Sequence, residues 1–241
     1  MAEAVKTRAE RALISLRQRI LSGALSGGTR LFEVAVAEDL AISRTPVRAA
    51  LAQLAEEGLL DRAKGGGFVV RSFDISDVED TIELRGVLEG TAARFAAERG
   101  VTEAQLAEAD EIIRNIDRLL SVARVEMEKY SHWNSRFHDL LVRLSGSAAL
   151  ARELARVTAL PFASPSAFLD DETHAGQLLG NLRIAHEQHK AIIDAIRHRE
   201  GARAESLARE HARTARRNVQ FLLSDAAARR EGSAALAFVR A

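Results

Sequence analysis

The sequence predicts a mainly α-helical protein: an N-terminal winged helix-turn-helix with a small β-hairpin wing, followed by an all-α C-terminal bundle. The first observation is that apolar residues recur at helical spacing along most of the 241 residues. The second is composition, because only 3 prolines and 15 glycines interrupt a chain rich in alanine and arginine. The third is a local exception, since LLDRA and FVVRS flank KGGG as two strands flank a turn.

Three helices are predicted before the hairpin. The first covers about residues 7–22 and ends where SGALSGGTRL supplies three glycines and two serines. A short helix follows at about 34–40. Ser43 is placed to cap the third helix, and Gly58 ends it. The apolar residues of this third helix share one face at spacings i, i+3, i+4 and i+7: Val47, Ala50, Leu51 and Leu54.

After a short junction at 71–78, the pattern is helical almost to the end of the chain. The segments SDVE and TEAQ fit the capping box, which predicts that helices start there. The stretch LPFASPSAF at 160–168 contains two of the three prolines and is predicted to be an ordered loop. Six helices are predicted, at about 76–99, 102–122, 126–145, 148–159, 175–199 and 203–227. We therefore expect two domains, 1–72 and 76–230.

Charge and composition exclude several classes of protein. The 34 basic and 34 acidic residues cancel, so any DNA-binding surface must be local. Residues 1–75 contain 11 basic and 9 acidic residues, which is only a weak excess. The chain has no cysteine, so a metal ion must be held by nitrogen and oxygen ligands. The N-terminus has no export signal and no run is long and apolar enough to span a membrane, which predicts a cytoplasmic protein.

One face of the predicted third helix is suited to DNA. Arg44 and Arg48 are four residues apart, opposite the apolar face, and Thr45 lies beside them. Arginine forms two hydrogen bonds with guanine O6 and N7, whereas a hydroxyl at a helix N-terminus suits phosphate. On the wing, Lys64 precedes glycines such as Gly66, which let the backbone approach a phosphate or the minor groove. The alternative interpretation is that these helices and the hairpin are part of an ordinary helical core.

The segments SRTPVRAALAQLAEEGLL and GGGFVV resemble the N-terminal domain of the GntR family of bacterial regulators, over residues 8–72. Two positions depart from the family pattern. Ala41 stands where members usually have glycine, and a left-handed alanine there costs about 1 kcal/mol. Val34 stands where some relatives have arginine, so one DNA contact is expected to be missing. The resemblance implies that DNA is contacted by Arg44, Thr45, Pro46, Arg48, Lys64 and Gly66.

The C-terminal half contains all seven histidines, each after residue 131. Asn134 and His138 are four residues apart on one predicted helix, while His189 and His211 lie on two later helices. Three imidazoles and an amide oxygen from three helices are a candidate site for zinc, nickel or copper. Surface or core histidines without a metal are the alternative. Other candidate ligands are His132, His174 and His186.

The pattern D/N-x3-H, then His, then His on successive helices resembles the C-terminal domain of the FadR subgroup of this family. The resemblance implies a bundle of six or seven helices and a metal ion whose open positions bind an organic acid. It places the metal ligands at Asn134, His138, His189 and His211, where most members have aspartate instead of Asn134. We expect a divalent ion, zinc first, with nickel or manganese as alternatives.

The resemblance also suggests residues that bind the acid. Arg85 stands where relatives place an arginine toward the ligand; its alternative is a surface ion pair with Glu89 at i+4. Asn218 lies seven residues after His211 and is a candidate donor to the acid. Trp133 is a candidate wall residue, although core packing explains it better. LPFASPSAF is similar to the corresponding stretch of vanillate-responsive members, which favours an aromatic acid.

These observations predict a homodimeric transcriptional repressor, not an enzyme, that binds a pseudo-palindromic double-stranded operator and responds to a small organic acid. A metal-free effector-binding regulator is the first alternative, because Asn134 is a weaker ligand than aspartate. A metal-dependent hydrolase is a remote alternative. It would require a general base near a metal-bound water, and the sequence places no carboxylate there.

Overall fold

The computed structural model of the protein describes residues 7–122, 125–160, 163–164 and 175–224, with the side chains of 21, 175–178 and 218–224 excepted. The chain divides into two compact units: residues up to Ser76 belong to the first, together with short later segments, and most residues from Asp77 onward belong to the second. The change of unit falls inside the junction predicted at 71–78. Assignment of DNA binding and effector binding to domains 1–72 and 76–230 stays a prediction.

The described residues of the first unit form three helices and a small sheet. Thr7 caps the first helix through a capping box with Glu10, because its hydroxyl accepts from the Glu10 amide while the Glu10 carboxylate accepts from the Thr7 amide. The second helix is the shortest, with 7 residues. The elements in chain order are α1 (Arg8–Leu21), β1 (Arg30–Leu31), α2 (Glu33–Asp39), α3 (Arg44–Glu56), β2 (Leu60–Arg62) and β3 (Phe68–Val70).

The core of this unit forms where α1 packs on α3. Leu16 and Ile20 of α1 are fully buried, as is Leu51 of α3. The predicted apolar face of α3 is buried throughout, including Val47 and Leu54. Because the apolar face of α3 is buried, the residues on the opposite face of this helix are exposed to solvent. Gly58 lies beyond the C-terminus of α3 with φ of 77°, the left-handed conformation in which glycine commonly ends a helix.

The turn between α2 and α3 has the predicted left-handed residue. Ala41 has φ of 51°, which for alanine costs about 1 kcal/mol. The turn is closed by backbone hydrogen bonds from Ala41 to Glu38 and from Ile42 to Ala37. Ser43 occupies the capping position of α3, but its side chain makes no capping hydrogen bond, contrary to expectation.

The wing contains the predicted hairpin of β2 and β3, and a further strand, β1, extends it into a three-stranded antiparallel sheet in the order β1-β3-β2. The two-residue strand β1 was missed because two residues show no alternation. It pairs with β3, with Arg30 opposite Val69. Gly67 is required at this crossing: a Cβ there would lie 2.7 Å from the Leu31 carbonyl oxygen, and its φ is 76°.

The second unit is helical in all its described elements. Thr102 and Gln105 form the predicted capping box at the start of one helix. The predicted loop at 160–168 lies largely outside the described residues. No helix in the described part of the chain combines the length and hydropathy that a bilayer crossing requires. The helices are α4 (Ile75–Arg99), α5 (Glu103–Leu120), α6 (Met127–Leu144), α7 (Ala148–Thr158), α8 (Ala175–Arg197) and α9 (Gly201–Ser224).

In the second unit, helices α4 and α9 pack closely against each other. Gly86 and Gly90 of α4 face α9, and a Cβ on Gly86 would lie 2.7 Å from the Cβ of Ala212. Glycine thus allows α4 and α9 to approach closely. An apolar cluster surrounds the same region, including Phe137 of α6 and Ile192 of α8, both buried. Trp133 is half-buried and packs against this cluster, which agrees with its interpretation as a core residue.

Candidate DNA-binding surface and metal centre

The N-terminal turn of α3 displays the residues predicted to contact DNA. Arg44 is the first residue of α3, and the side chains of Arg44 and Arg48 are 60% and 65% exposed. Thr45 is exposed and Pro46 half-buried. Proline is tolerated there, because the first amides of a helix have no partner within it. The arrangement presents two guanidinium groups and a hydroxyl on one exposed surface.

The wing adds further positive charge. Lys64 and Gly66 are exposed, and Gly66 has φ of 86° with open space around its Cβ position. Arg30 of β1 lies beside the turn, its Nη2 atom 3.6 Å from the Cβ position of Gly65. Arg62 stacks on the ring of Phe68. Arg30 was not predicted as a DNA-binding residue, because its place on the wing depends on strand β1.

The structure brings together three of the four predicted metal ligands. His138 on α6, His189 on α8 and His211 on α9 are all buried. The Nε2 atom of His211 lies 3.0 Å from Nε2 of His189 and 3.4 Å from Nε2 of His138. One ligand atom from each histidine lies within 4.8 Å of the other two. Side chains up to 73 residues apart in sequence therefore converge on one point.

Outer hydrogen bonds fix the orientation of two of these rings. A carboxylate oxygen of Glu89 lies 2.9 Å from Nδ1 of His138, and Oε1 of Gln188 lies 3.1 Å from Nδ1 of His211. Both oxygens are acceptors, so both Nδ1 atoms donate. The Nε2 atoms of His138 and His211 therefore direct lone pairs toward the same point. Carboxylates and carbonyl oxygens are the usual outer partners of metal-binding histidines.

The donor set fits a divalent metal ion. Two nitrogens about 2.1 Å from an ion, in tetrahedral or octahedral arrangement, lie about 3.0–3.4 Å apart, and the two Nε2 separations have those values. Burial lowers the pKa of His189 well below its ordinary value, and burial together with His138 lowers that of His211 to about 3. Neutral imidazoles are the form that binds metal.

Asn134 lies one helical turn before His138 and is buried. It lines a cavity of about 40 Å³ together with His138, His211 and Arg85. That volume holds water molecules but not an aromatic ring. Asn134 therefore faces the same space as two of the histidines, and its role as a ligand stays a prediction.

Arg85 and Glu89 form a buried ion pair, and not the surface pair considered from the sequence. Both side chains are 2% exposed, with Arg85 Nε 3.8 Å from a Glu89 oxygen. Arg85 Nη1 donates to the carbonyl oxygen of Ala163, whereas its buried Nε has no hydrogen-bond partner among the described residues. Burial opposes ionisation of Glu89, but His138 and Arg85 outweigh it and lower its pKa to about 2.

Glu89 and Gln188 belong to this site, and neither was predicted from the sequence as part of it. A signal was present in the sequence: the helical neighbours of Glu89 at three and four positions are Arg85, Gly86, Ala92 and Ala93, and a charged residue on such a buried face requires a buried partner. Glu89 also lines a larger cavity of about 610 Å³ between α6 and α7, together with His138, Asp139 and Arg143.

Of the remaining candidates, His186 is buried beside His189, and its Nε2 pairs with Asp117 at 3.0 Å. Its Nδ1 and that of His189 have no hydrogen-bond partner in the described part of the chain. His132 is exposed, and its ring contacts Trp133. Asn218 belongs to α9, but its side chain lies outside the described residues, as does His174.

Two family models match the chain. The model described as "Bacterial regulatory proteins, gntR family" matches residues 8–70, and the FCD domain model matches residues 80–214. The Nta operon transcriptional regulator of Aminobacter aminovorans is 31% identical over 170 residues, covering 70% of this chain and 74% of that protein. The gluconate operon transcriptional repressor of Bacillus licheniformis is 30% identical over 138 residues, or 55% and 53% of the two chains.

Solved structures share the fold. E. coli McbR/YncC has a TM-score of 0.60 at 21% identity, covering 91% of this chain and 98% of its own. Lar of Listeria monocytogenes has a TM-score of 0.56 at 19% identity, covering 89% and 99%. At these identities the likeness concerns the fold alone.

Proposed function

Because the chain belongs to the GntR family of bacterial regulatory proteins and has a helical FCD domain, and is therefore a transcriptional regulator and not an enzyme, we propose that it is a cytoplasmic, metal-binding repressor. A small carboxylic acid bound at a metal ion in the FCD domain controls its affinity for an operator. The observation that supports this most directly is the convergence of three buried Nε2 atoms.

For DNA binding, the protein acts as a homodimer on a pseudo-palindromic operator, with α3 of each copy in the major groove. Arg44 and Arg48 contact base edges, whereas Thr45 and the start of α3 contact phosphate. Lys64 and Gly66 of the wing contact the backbone or the minor groove. Val34 leaves one family contact unfilled, and we propose that Arg30 on the wing adds phosphate affinity.

For metal binding, His138, His189 and His211 hold the ion, and Asn134 supplies a fourth, neutral ligand. Imidazole ligands favour zinc, with nickel or manganese as alternatives. When bound, the ion would act as a Lewis acid that attracts the carboxylate of the effector. Glu89 and Gln188 keep the rings of His138 and His211 in the tautomer whose Nε2 lone pairs face the ion.

For effector binding, Arg85 is the cation that faces the acid, since it lines the same cavity and its buried Nε has no hydrogen-bond partner among the described residues. Asn218 is a second donor. An aromatic acid such as vanillate exceeds the cavity of about 40 Å³, so it would occupy either an enlarged space between these helices or the cavity of about 610 Å³ that Glu89 and His138 also line. In either case the acid must bind two states of the protein with unequal affinity, which is what control of DNA binding requires.

A metal-free regulator is the second candidate, supported by one distance. The 3.0 Å separation between the Nε2 atoms of His189 and His211 also suits a direct hydrogen bond between neutral rings. The neutral side chain of Asn134 fits this candidate as well. In that case the histidines would bind the acid through hydrogen bonds.

Metal analysis of protein purified without added ions separates the two candidates. About one zinc per chain in the wild type, lost in H189A and retained in H132A, supports the metal centre. His132 is a suitable control because it is exposed. Protein that contains no metal, and whose thermal unfolding does not change when zinc is added, would favour the metal-free candidate.

A further inference from the structure

Glu33, at the first position of α2, binds both arginines that we assign to DNA. Its Oε1 and Oε2 atoms accept from Nε and Nη2 of Arg48, each at 2.9 Å. Oε2 also accepts from Nη2 of Arg44 at 3.4 Å. Glu33 has no local signal in the sequence, because it lies 11 and 15 residues before its partners and across the turn at Ala41.

The exposure of the three side chains is unequal. The Glu33 side chain is 21% exposed, whereas those of Arg44 and Arg48 are 60% and 65% exposed. The carboxylate is therefore less exposed to solvent than the two guanidinium groups that it binds. Hydrogen bonding to Arg48 lowers the pKa of Glu33, so this carboxylate is ionised at neutral pH.

The contact with Arg48 leaves a defined part of its guanidinium free. Arginine has five N–H donors arranged along two edges. Glu33 occupies the edge formed by Nε and Nη2. The end formed by Nη1 and the second hydrogen of Nη2 remains, and this end can donate two parallel hydrogen bonds to guanine O6 and N7.

We propose that Glu33 is a positioning residue that presents the outer end of Arg48 to a base, and that its charge disfavours binding to DNA without the operator sequence. This inference rests on the proposed roles of Arg44 and Arg48. Non-specific affinity comes from neutralising phosphates, so a carboxylate within the cationic surface weakens it. At the operator, base contacts to a pre-oriented guanidinium offset that loss.

The experiment compares E33Q and E33D with wild type, using the full-length protein. Dissociation constants are measured at one salt concentration for an operator duplex selected by the protein itself and for a scrambled duplex. E33Q removes the charge, so affinity for scrambled DNA should rise about threefold to fivefold. E33D keeps the charge but is one methylene shorter, so operator affinity should fall about 10-fold while scrambled affinity is unchanged.

E38Q is the matched control, because Glu38 is exposed on the same helix and lies outside the ion pairs of Glu33. It should leave the ratio of operator to scrambled affinity unchanged. A wild-type ratio in both E33Q and E33D would overturn the inference, provided that thermal unfolding shows both variants folded. E33K serves as a second probe. Because it places a positive charge at this position, it should reduce the ratio of operator to scrambled affinity further than E33Q does.

The arginine variants separate this inference from the proposed function. If R48A leaves operator affinity unchanged, the assignment of Arg48 to base contact fails, whatever Glu33 does. If R48A weakens operator binding while E33Q and E33D keep the wild-type ratio, only the role of Glu33 fails.

Discussion

A carboxylate oxygen of Glu89 lies 2.9 Å from Nδ1 of His138 in the interior of the FCD domain. The contact joins α4 to α6 across 49 residues of sequence. It fixes the His138 tautomer and places a negative charge one imidazole away from the proposed ion. Glu89 also neutralises the buried Arg85, so one carboxylate connects the proposed metal centre with the proposed effector site.

Replacing Glu89 with glutamine should weaken zinc binding by about 10-fold, because the neutral amide makes His138 a less basic ligand. Competition with a zinc chelator measures the change. E83Q is the control, since Glu83 lies on the same helix and pairs with Arg213 near the surface. Equal zinc affinity in E89Q and wild type would contradict the assigned outer hydrogen bond.

The change Asn134→Asp should raise zinc affinity by about 10-fold, because an ionised carboxylate is a better ligand for a cation than an amide oxygen. The same chelator competition reports it. Asn115 provides a control variant, N115D, as its amide bonds to a backbone carbonyl on the exposed face of α5. If N134D binds zinc no more tightly than N115D, then residue 134 does not ligate the ion.

Replacing Arg44 or Arg48 with alanine should weaken operator binding by about 1–3 kcal/mol each if both contact bases. Fluorescence anisotropy with a labelled operator measures the loss. Affinity for scrambled DNA should fall much less in each variant. Unchanged operator affinity in both variants would contradict the assigned face of α3.

The two glycines of the wing turn should respond differently to alanine. G67A should destabilise the first unit by about 2–3 kcal/mol, because a Cβ in a left-handed residue would also meet the Leu31 carbonyl. G66A should cost only about 1 kcal/mol, since its φ is similar but its surroundings are open. Urea unfolding followed by circular dichroism compares them, and equal losses would contradict the close approach of β1.

Local patterns predicted the helices and the exposed face of α3, because periodicity and turn residues are encoded within a few positions. Val47 and Leu51 are buried as predicted, whereas the left-handed conformation of Ala41 was implied by the resemblance to the GntR family, whose members usually have glycine there. The resemblance to the FadR subgroup, not spacing, selected His138, His189 and His211 from seven histidines. The spacing alone is equally compatible with other trios.

What the sequence did not predict depends on contacts between distant elements. Strand β1 consists of Arg30 and Leu31 and forms because these residues pair with the free edge of β3. Two residues are too few to show the alternating pattern that predicts a strand. Glu33 and Glu89 are single carboxylates whose partners lie on other helices. The burial of Arg85 follows from the close approach of α4 and α9, which no local pattern encodes.

The central claim is tested most directly by measuring operator affinity while vanillate and a series of small carboxylic acids are added. The two proteins compared are wild type loaded with zinc and H189A treated in the same way. At least one acid should weaken operator binding of the wild type by about 10-fold or more. H189A should bind the operator as tightly as wild type without acid, and its affinity should not change when acid is added. A response of equal size in both proteins, or no response of the wild type to any acid, would contradict control through the metal centre.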